Sequence, residues 1–280
     1  MNCSNLQFLK LGFNNLVGKI PDGIGSLSML SSLFLHDNIL QGGIPPEIGR
    51  LFRLQKLILI NNAFTGNIPS TMMNCSNLHF LNLGENNLVG KIPDGIGSLS
   101  MLSRLFLHDN ILQGGIPLEI WRLFRLQTLD LCNNSFTGNL LSIPPTLHML
   151  SLCLNNFGGK LPSLTNGSTL TYLGLSDNYF VGSLHNLVCS NRVNTIELFN
   201  LGDNQLSGVI PDCWEKWSSL KVLYLNDNNL SGEIPRTLDS VPSLQLLAMH
   251  GNMISGSLLM WFQRFRWPKE NRKKLRENLR

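Results

Sequence analysis

Eleven asparagines divide this chain at a nearly constant interval: Asn14, Asn38, Asn62, Asn86, Asn110, Asn134, Asn155, Asn178, Asn204, Asn228 and Asn252. Most steps are 24 residues, with departures of 21, 23 and 26. Each asparagine closes a block L-x-x-L-x-L-x-x-N and is usually followed by x-L-x-G-x-I-P. The second repeat shows the unit in full, as Leu30, Leu33, Leu35, Asn38, Leu40, Gly42, Ile44 and Pro45. Units of this size stack side by side, because none can bury its apolar face alone. Such a chain folds as a solenoid.

The spacing inside the unit says how. Leu33 and Leu35 are two apart, so a strand directs both inward and turns Ser32, Phe34 and His36 outward. A buried amide at Asn38 needs hydrogen-bond partners, and free backbone groups of the neighbouring turn supply them. Stacked asparagines therefore form a ladder beneath the sheet. The Gly42–Pro45 stretch reads as a second turn, and Pro45 to Leu51 carries the chain back over a convex side. The pattern predicts an α/β solenoid: a right-handed leucine-rich-repeat superhelix with a parallel concave sheet of about eleven strands, Leu9–Leu11 first and Leu247–Met249 last. Residues 1–258 form this array, and residues 259–280 a basic tail, irregular or helical.

Hydrophobic content of 43% with only 14% charged residues suits a continuous leucine core. The net charge of +4 is misleading. Residues 264–280 hold eight Lys or Arg and two Glu, which leaves −2 on residues 1–263. A near-neutral array points to no nucleic-acid partner. No run approaches the roughly 20 apolar residues of a membrane span. Residues Met1 to Leu6 already lie inside a repeat, without an apolar leader, and neither end shows a recognisable cap. The expectation is a fragment or truncated product of something longer.

Residues 2–67 and 74–139 are two copies of one three-repeat block, differing at ten of 66 positions. Five of the nine outward strand positions changed: Lys10, Ser32, Lys56, Ile58 and Ile60. Ile58 stands against Asp130, and Ile60 against Cys132. Convex turns are exposed too, yet they barely differ. The concave face is thus where altered recognition is expected.

The unit with L-x-G-x-I-P after its asparagine resembles the plant-specific class of extracellular leucine-rich repeats. That class occurs in receptor kinases, in receptor-like proteins without a kinase, and in secreted polygalacturonase inhibitors. A sharper likeness covers Cys189, the run Asn204 to Trp214, and Asn228 to Pro235, which look like the distal repeats of defence-type receptor-like proteins. The resemblance implies recognition at the plasma membrane or its extracellular side, of a protein, peptide or glycan ligand, with a co-receptor kinase as a further partner. It implies no cofactor. Family members carry a signal peptide, paired-cysteine cap, island loop, membrane span and short cytoplasmic tail, none of which is found here.

Cys189 and Cys213 are 24 residues apart at matching positions and should stack within reach of a disulfide. Cys132 and Cys153 share the seventh position of adjacent strands, a second pairing that depends on strand geometry. Cys3 and Cys75, three turns apart, are expected to be small buried thiols. N-x-S/T sequons occur at Asn2, Asn74, Asn133, Asn166 and Asn229. Asn74 and Asn166 fall on convex turns that would accept a glycan, whereas Asn133 and Asn229 flank ladder asparagines and are expected to be enclosed. His36-Asp37 and His108-Asp109 invite a catalytic reading, but adjacent strand residues point apart and no nucleophile or oxyanion site accompanies them. No phosphate-binding, kinase or metal motif is present, so no enzyme is expected.

The expected function is ligand recognition on the concave sheet of a plant cell-surface receptor of the receptor-like-protein type. Its binding column is Phe34, Ile58, Asn82, Phe106 and Asp130, with His36 and His108 beside it and Tyr224 further along. A secreted inhibitor of cell-wall-degrading enzymes is the alternative, and a non-functional truncated product a third.

Overall fold

The computed structural model describes residues 3–140, 142–164, 167–189 and 195–257. Eleven three-residue strands, from Phe8–Lys10 to Leu246–Ala248, pair in parallel in strict chain order. Each is centred on the first residue of the L-x-L pair, a leucine except at Phe199, one residue earlier than expected. The second leucine still bonds across the stack, as where Leu35 N–H donates to the Ile58 carbonyl at 2.9 Å. Inward leucines such as Leu57, Leu81, Leu105 and Leu129 lie at most 1% exposed, one above another. Each contributes about 1.5–3 kcal/mol of burial.

A second parallel sheet of eleven strands, from Val17–Gly18 to Met253–Ser255, corrects the expectation of a turn at Gly42. The segment Ile39–Gly43 is a strand, with Gly42 at φ 78° kinking it. Successive turns bring equivalent segments together, so Gln41 pairs with Ala63 and Gly42 with Phe64. Backbone groups that a lone repeat would leave to solvent are thereby paired. On the convex side the chain forms 3-10 turns, at Asp22–Ser26, Pro46–Arg50, Ser70–Asn74, Asp94–Ser98 and Leu118–Arg122, and again at Arg236–Ser240. Each is entered from a proline, whose fixed φ and missing N–H suit a turn start.

The asparagine ladder joins the two sheets. Asn86 donates from Nδ2 to the carbonyls of Leu59, Leu83 and Gly84, and its Oδ1 accepts the Phe64 N–H at 3.0 Å. The same exchange with the preceding turn recurs from Asn38 to Asn252. The residue just before each ladder asparagine is left-handed, from Phe13 at φ 56° to Gly251 at φ 65°. That turn swings the amide under the sheet.

At the two ends of the described array Leu6, Leu9, Leu244, Leu247 and Met249 are only partly buried. Cys75 is buried, with its thiol bonded to the Ile48 carbonyl, and burial pushes its pKa up to about 11. Cys3 is exposed, against expectation. The basic tail and its boundary at Leu258 lie outside the described residues.

Two substitutions test this construction. Asn86→Ala should destabilise the array by about 1–3 kcal/mol for each buried group left unpaired. Asn86→Asp should also destabilise, because a carboxylate cannot donate the three Nδ2 bonds. Chemical denaturation against the unsubstituted protein gives the comparison; an unchanged midpoint for both variants contradicts the ladder's role. Leu154 is the converse case, an exposed leucine held at φ 53°. Leu154→Asn should raise stability by about 1 kcal/mol, since asparagine tolerates that conformation.

Candidate functional site

Strand alternation presents three outward columns. The middle one holds Phe34, Ile58, Asn82, Phe106 and Asp130 in consecutive register pairs. It continues through Ser151, Gly174 and Asn200 to Tyr224. The expected binding residues other than His36 and His108 are thus brought into one line, and all are half-buried. Phe80 and Phe106 have ring centroids 5.6 Å apart, and the Arg104 guanidinium lies 6.0 Å from the Phe80 centroid. Lys10 caps Phe34 in the same way at 5.6 Å. Part of the aromatic surface is therefore spent on mutual packing, and the outer part faces solvent.

His36 and His108 occupy the next column three turns apart, each laid over the glycine of the preceding turn. A Cβ on Gly12 or Gly84 would collide with the imidazole. Divergence between the copies gave these two histidines different partners. His36 Nδ1 lies 2.8 Å from Asp37 Oδ2, and its ring stacks edge-on to Phe13 at 4.8 Å. This corrects the expectation that His36 and Asp37 point apart: Asp37 is left-handed at φ 54°, which turns its carboxylate back to the histidine. The bond from His36, with another from Asn61, holds the Asp37 carboxyl below its ordinary value. In the second copy Phe13 has become Glu85 and Ile58 has become Asp130. His108 Nε2 sits 3.9 Å from Glu85, and its Nδ1, buried without a hydrogen bond, lies 3.6 Å from Asp130.

The row of left-handed residues borders the far side of the face and is largely acidic: Asp37, Glu85, Asp109, Asp177, Asp203 and Asp227. Burial and then repulsion from Asp177 and Asp227 push the Asp203 carboxyl up. Burial also raises the Tyr172 hydroxyl, with the Asp130 charge adding to it against a hydrogen bond from Ser151. Among the described residues no group of three or more His, Cys, Asp or Glu is placed to hold a metal ion.

Both cysteine pairs are bridged, Cys189 to Cys213 and Cys132 to Cys153. The second bridge lies on the concave face, where the first copy has Ile60. Behind the first, Trp217 is fully buried, stacks on Phe199 at 5.3 Å and donates to the Val188 carbonyl. Asn74 is exposed at the end of a convex turn, and Asn166 lies outside the described residues. Asn133 and Asn229 are exposed too, against expectation, because ladder neighbours bury only the amide that turns inward.

Models of leucine-rich repeats match residues 194–254 and, separately, 5–27, 77–99 and 125–147. Over 72 residues, 26% of this chain and 7% of the relative, it is 36% identical to the receptor-like protein EIX2 of Solanum lycopersicum. Among solved structures, the TDR receptor superposes with a TM-score of 0.82 at 34% identity, over 89% of this chain and 44% of that one. The Arabidopsis receptor kinase HAESA, solved with the peptide hormone IDA and the co-receptor SERK1, superposes at 0.77 and 32% identity, over 95% and 49%. The chain spans less than half the length of each. It is a leucine-rich-repeat solenoid of the kind that forms plant receptor-like proteins and receptor-kinase ectodomains. Among the described residues no helix is long and apolar enough to cross a membrane.

The concave bridge carries a stability prediction. Cys132–Cys153 closes a separation of 21 residues. Chain-entropy reasoning assigns such a bridge about 3 kcal/mol. Replacing both cysteines with serine should lower the denaturation midpoint accordingly and remove any dependence on reductant at this site. A midpoint identical to that of the oxidised protein contradicts the bridge.

Proposed function

We propose that this array is the ligand-recognition module of a plant cell-surface receptor of the receptor-like-protein type, facing the extracellular side and binding a peptide or protein on its concave sheet. The observation that carries the reading is the column Phe34, Ile58, Asn82, Phe106, Asp130. There half-exposed aromatic and apolar groups stand in register, and a duplicated block has changed most around them. Aromatic anchors grouped on a concave surface supply most of the energy of an interface. His36, His108 and Tyr224 extend the same surface. The peptide and co-receptor present with HAESA support a peptide ligand and a partner kinase for this chain. The likeness of Cys189 to Pro235 to defence-type receptor-like proteins supports a role in defence perception, and the EIX2 match supports the receptor-like-protein type. The exposure of Asn74 on a convex turn supports it as the residue that carries a glycan. The role is recognition, not catalysis.

Peptides selected against the array from a display library provide the test. Replacing Phe34 and Phe106 with alanine should weaken the selected peptides by about 1–3 kcal/mol each, with circular dichroism unchanged. Equal affinity for the double variant, with binding lost instead on alanine replacement of Glu47 or Arg50, overturns the reading.

A further inference from the structure

The array has a step. Five consecutive repeats carry a convex 3-10 turn, ending at Leu118–Arg122. The next repeat is 21 residues long and has no such turn; its short strand Ser142–Ile143 pairs with Ser163–Leu164 instead. Where the turn is missing, a groove of about 830 Å³ opens along the flank of the concave sheet.

One wall of the groove is His79, Ser103, Gln127 and His148, the residues just before four consecutive concave strands. They are stacked by backbone bonds of 2.8–3.0 Å. The apolar part is Met101, Phe124 and Pro145, with Phe124 66% exposed and the Arg125 guanidinium 5.7 Å from its ring centroid. No residue lining the groove is acidic. Among the described residues Arg125, Arg104 and Lys56 form no ion pair. Partial burial, and then the positive charges of Lys56 and Arg104, hold the His79 imidazole below its ordinary value. Most carboxylates of the concave face lie in the left-handed row on its opposite border; Asp130 stands in the middle column beside His108, and Glu197, further along this flank, is paired with Lys221. Positive charge on this flank is therefore uncompensated. Between the duplicated copies Ser32 corresponds to Arg104, which adds a charge here, and Gln7 to His79, which adds a titratable ring, while Lys56 corresponds to the neutral Thr128.

The geometry points to a second docking surface, in which this groove takes an acidic peptide segment. Carboxylate side chains of the segment meet Arg125 and His79, with Arg104 beside the lining adding its charge, and an apolar side chain between them rests on Phe124, Met101 and Pro145. Complementary charge supplies orientation and encounter rate, and the apolar wall supplies contact area. The inference rests on the reading that the array binds peptides or proteins, but it uses a surface off the Phe34–Phe106 column. Either can fail without the other.

The test uses a labelled peptide alternating Glu and Leu, its Gln-for-Glu counterpart, and polygalacturonate as an acidic glycan, read by fluorescence anisotropy. The Glu peptide should bind, weaken as salt rises, and lose about tenfold in affinity on Arg125→Glu or Arg104→Glu, while the convex control Arg50→Glu changes nothing. Binding should also raise the His79 titration midpoint seen by NMR, because a nearby carboxylate favours the imidazolium. Equal affinity for the Gln peptide, full affinity in both charge reversals, or an unmoved His79 overturns the proposal. Binding of polygalacturonate but not of the peptide overturns the assignment to a peptide.

Discussion

Every feature of this structure depends on a carboxamide that has both a donor and an acceptor. Asn155 receives the Phe136 N–H and donates to the Leu131 carbonyl across a repeat of 21 residues. Asn204 makes the same two contacts, with Phe180 and Leu175, across 26. The ladder therefore keeps register whatever length of chain lies on the convex side. Aspartate would lack the donor, and serine would not reach both partners. Variation in repeat length is confined to the back of the array, and the concave face stays a regular lattice of columns.

That separation has functional consequences. A residue on a concave strand changes its neighbours without changing the fold, so a duplicated block can acquire new surface chemistry at little structural cost. His36 and His108 illustrate it. They share a position over a glycine, yet one pairs with its own neighbour Asp37 and the other faces Asp130 and Glu85. The Cys132–Cys153 bridge arose at another of the diverged positions. Conversely, a change in repeat length leaves the face intact and reshapes the flank, which is how the groove beside Arg125 arises.

The concave sheet was legible in the sequence because period-two leucines and a buried asparagine have one geometric reading. The second sheet was not. A segment such as Ile39–Gly43, with two glycines, has no alternation of its own, and it becomes a strand only because the equivalent segments of neighbouring repeats lie on either side. The His36–Asp37 contact was missed because a left-handed aspartate breaks strand alternation, and the sequence marks that position only by the ladder asparagine next to it. The binding column was legible residue by residue, since its register is set directly by the asparagine spacing. The groove was visible only as a repeat three residues short, and nothing in the repeat pattern says which side chains such a gap uncovers.

The central claim, that the amide ladder holds the turns together as one body, is tested most directly by site-resolved hydrogen exchange. The N–H groups of Phe64, Leu88, Leu112 and Phe136 each donate to a ladder Oδ1. The account predicts that they exchange as slowly as the concave strand amides of the same turns, such as Leu59, Leu83 and Leu107, opening only when those open. Fast exchange at the four ladder sites with the strands still protected would contradict it, since the sheet would then be holding the array together without the asparagines.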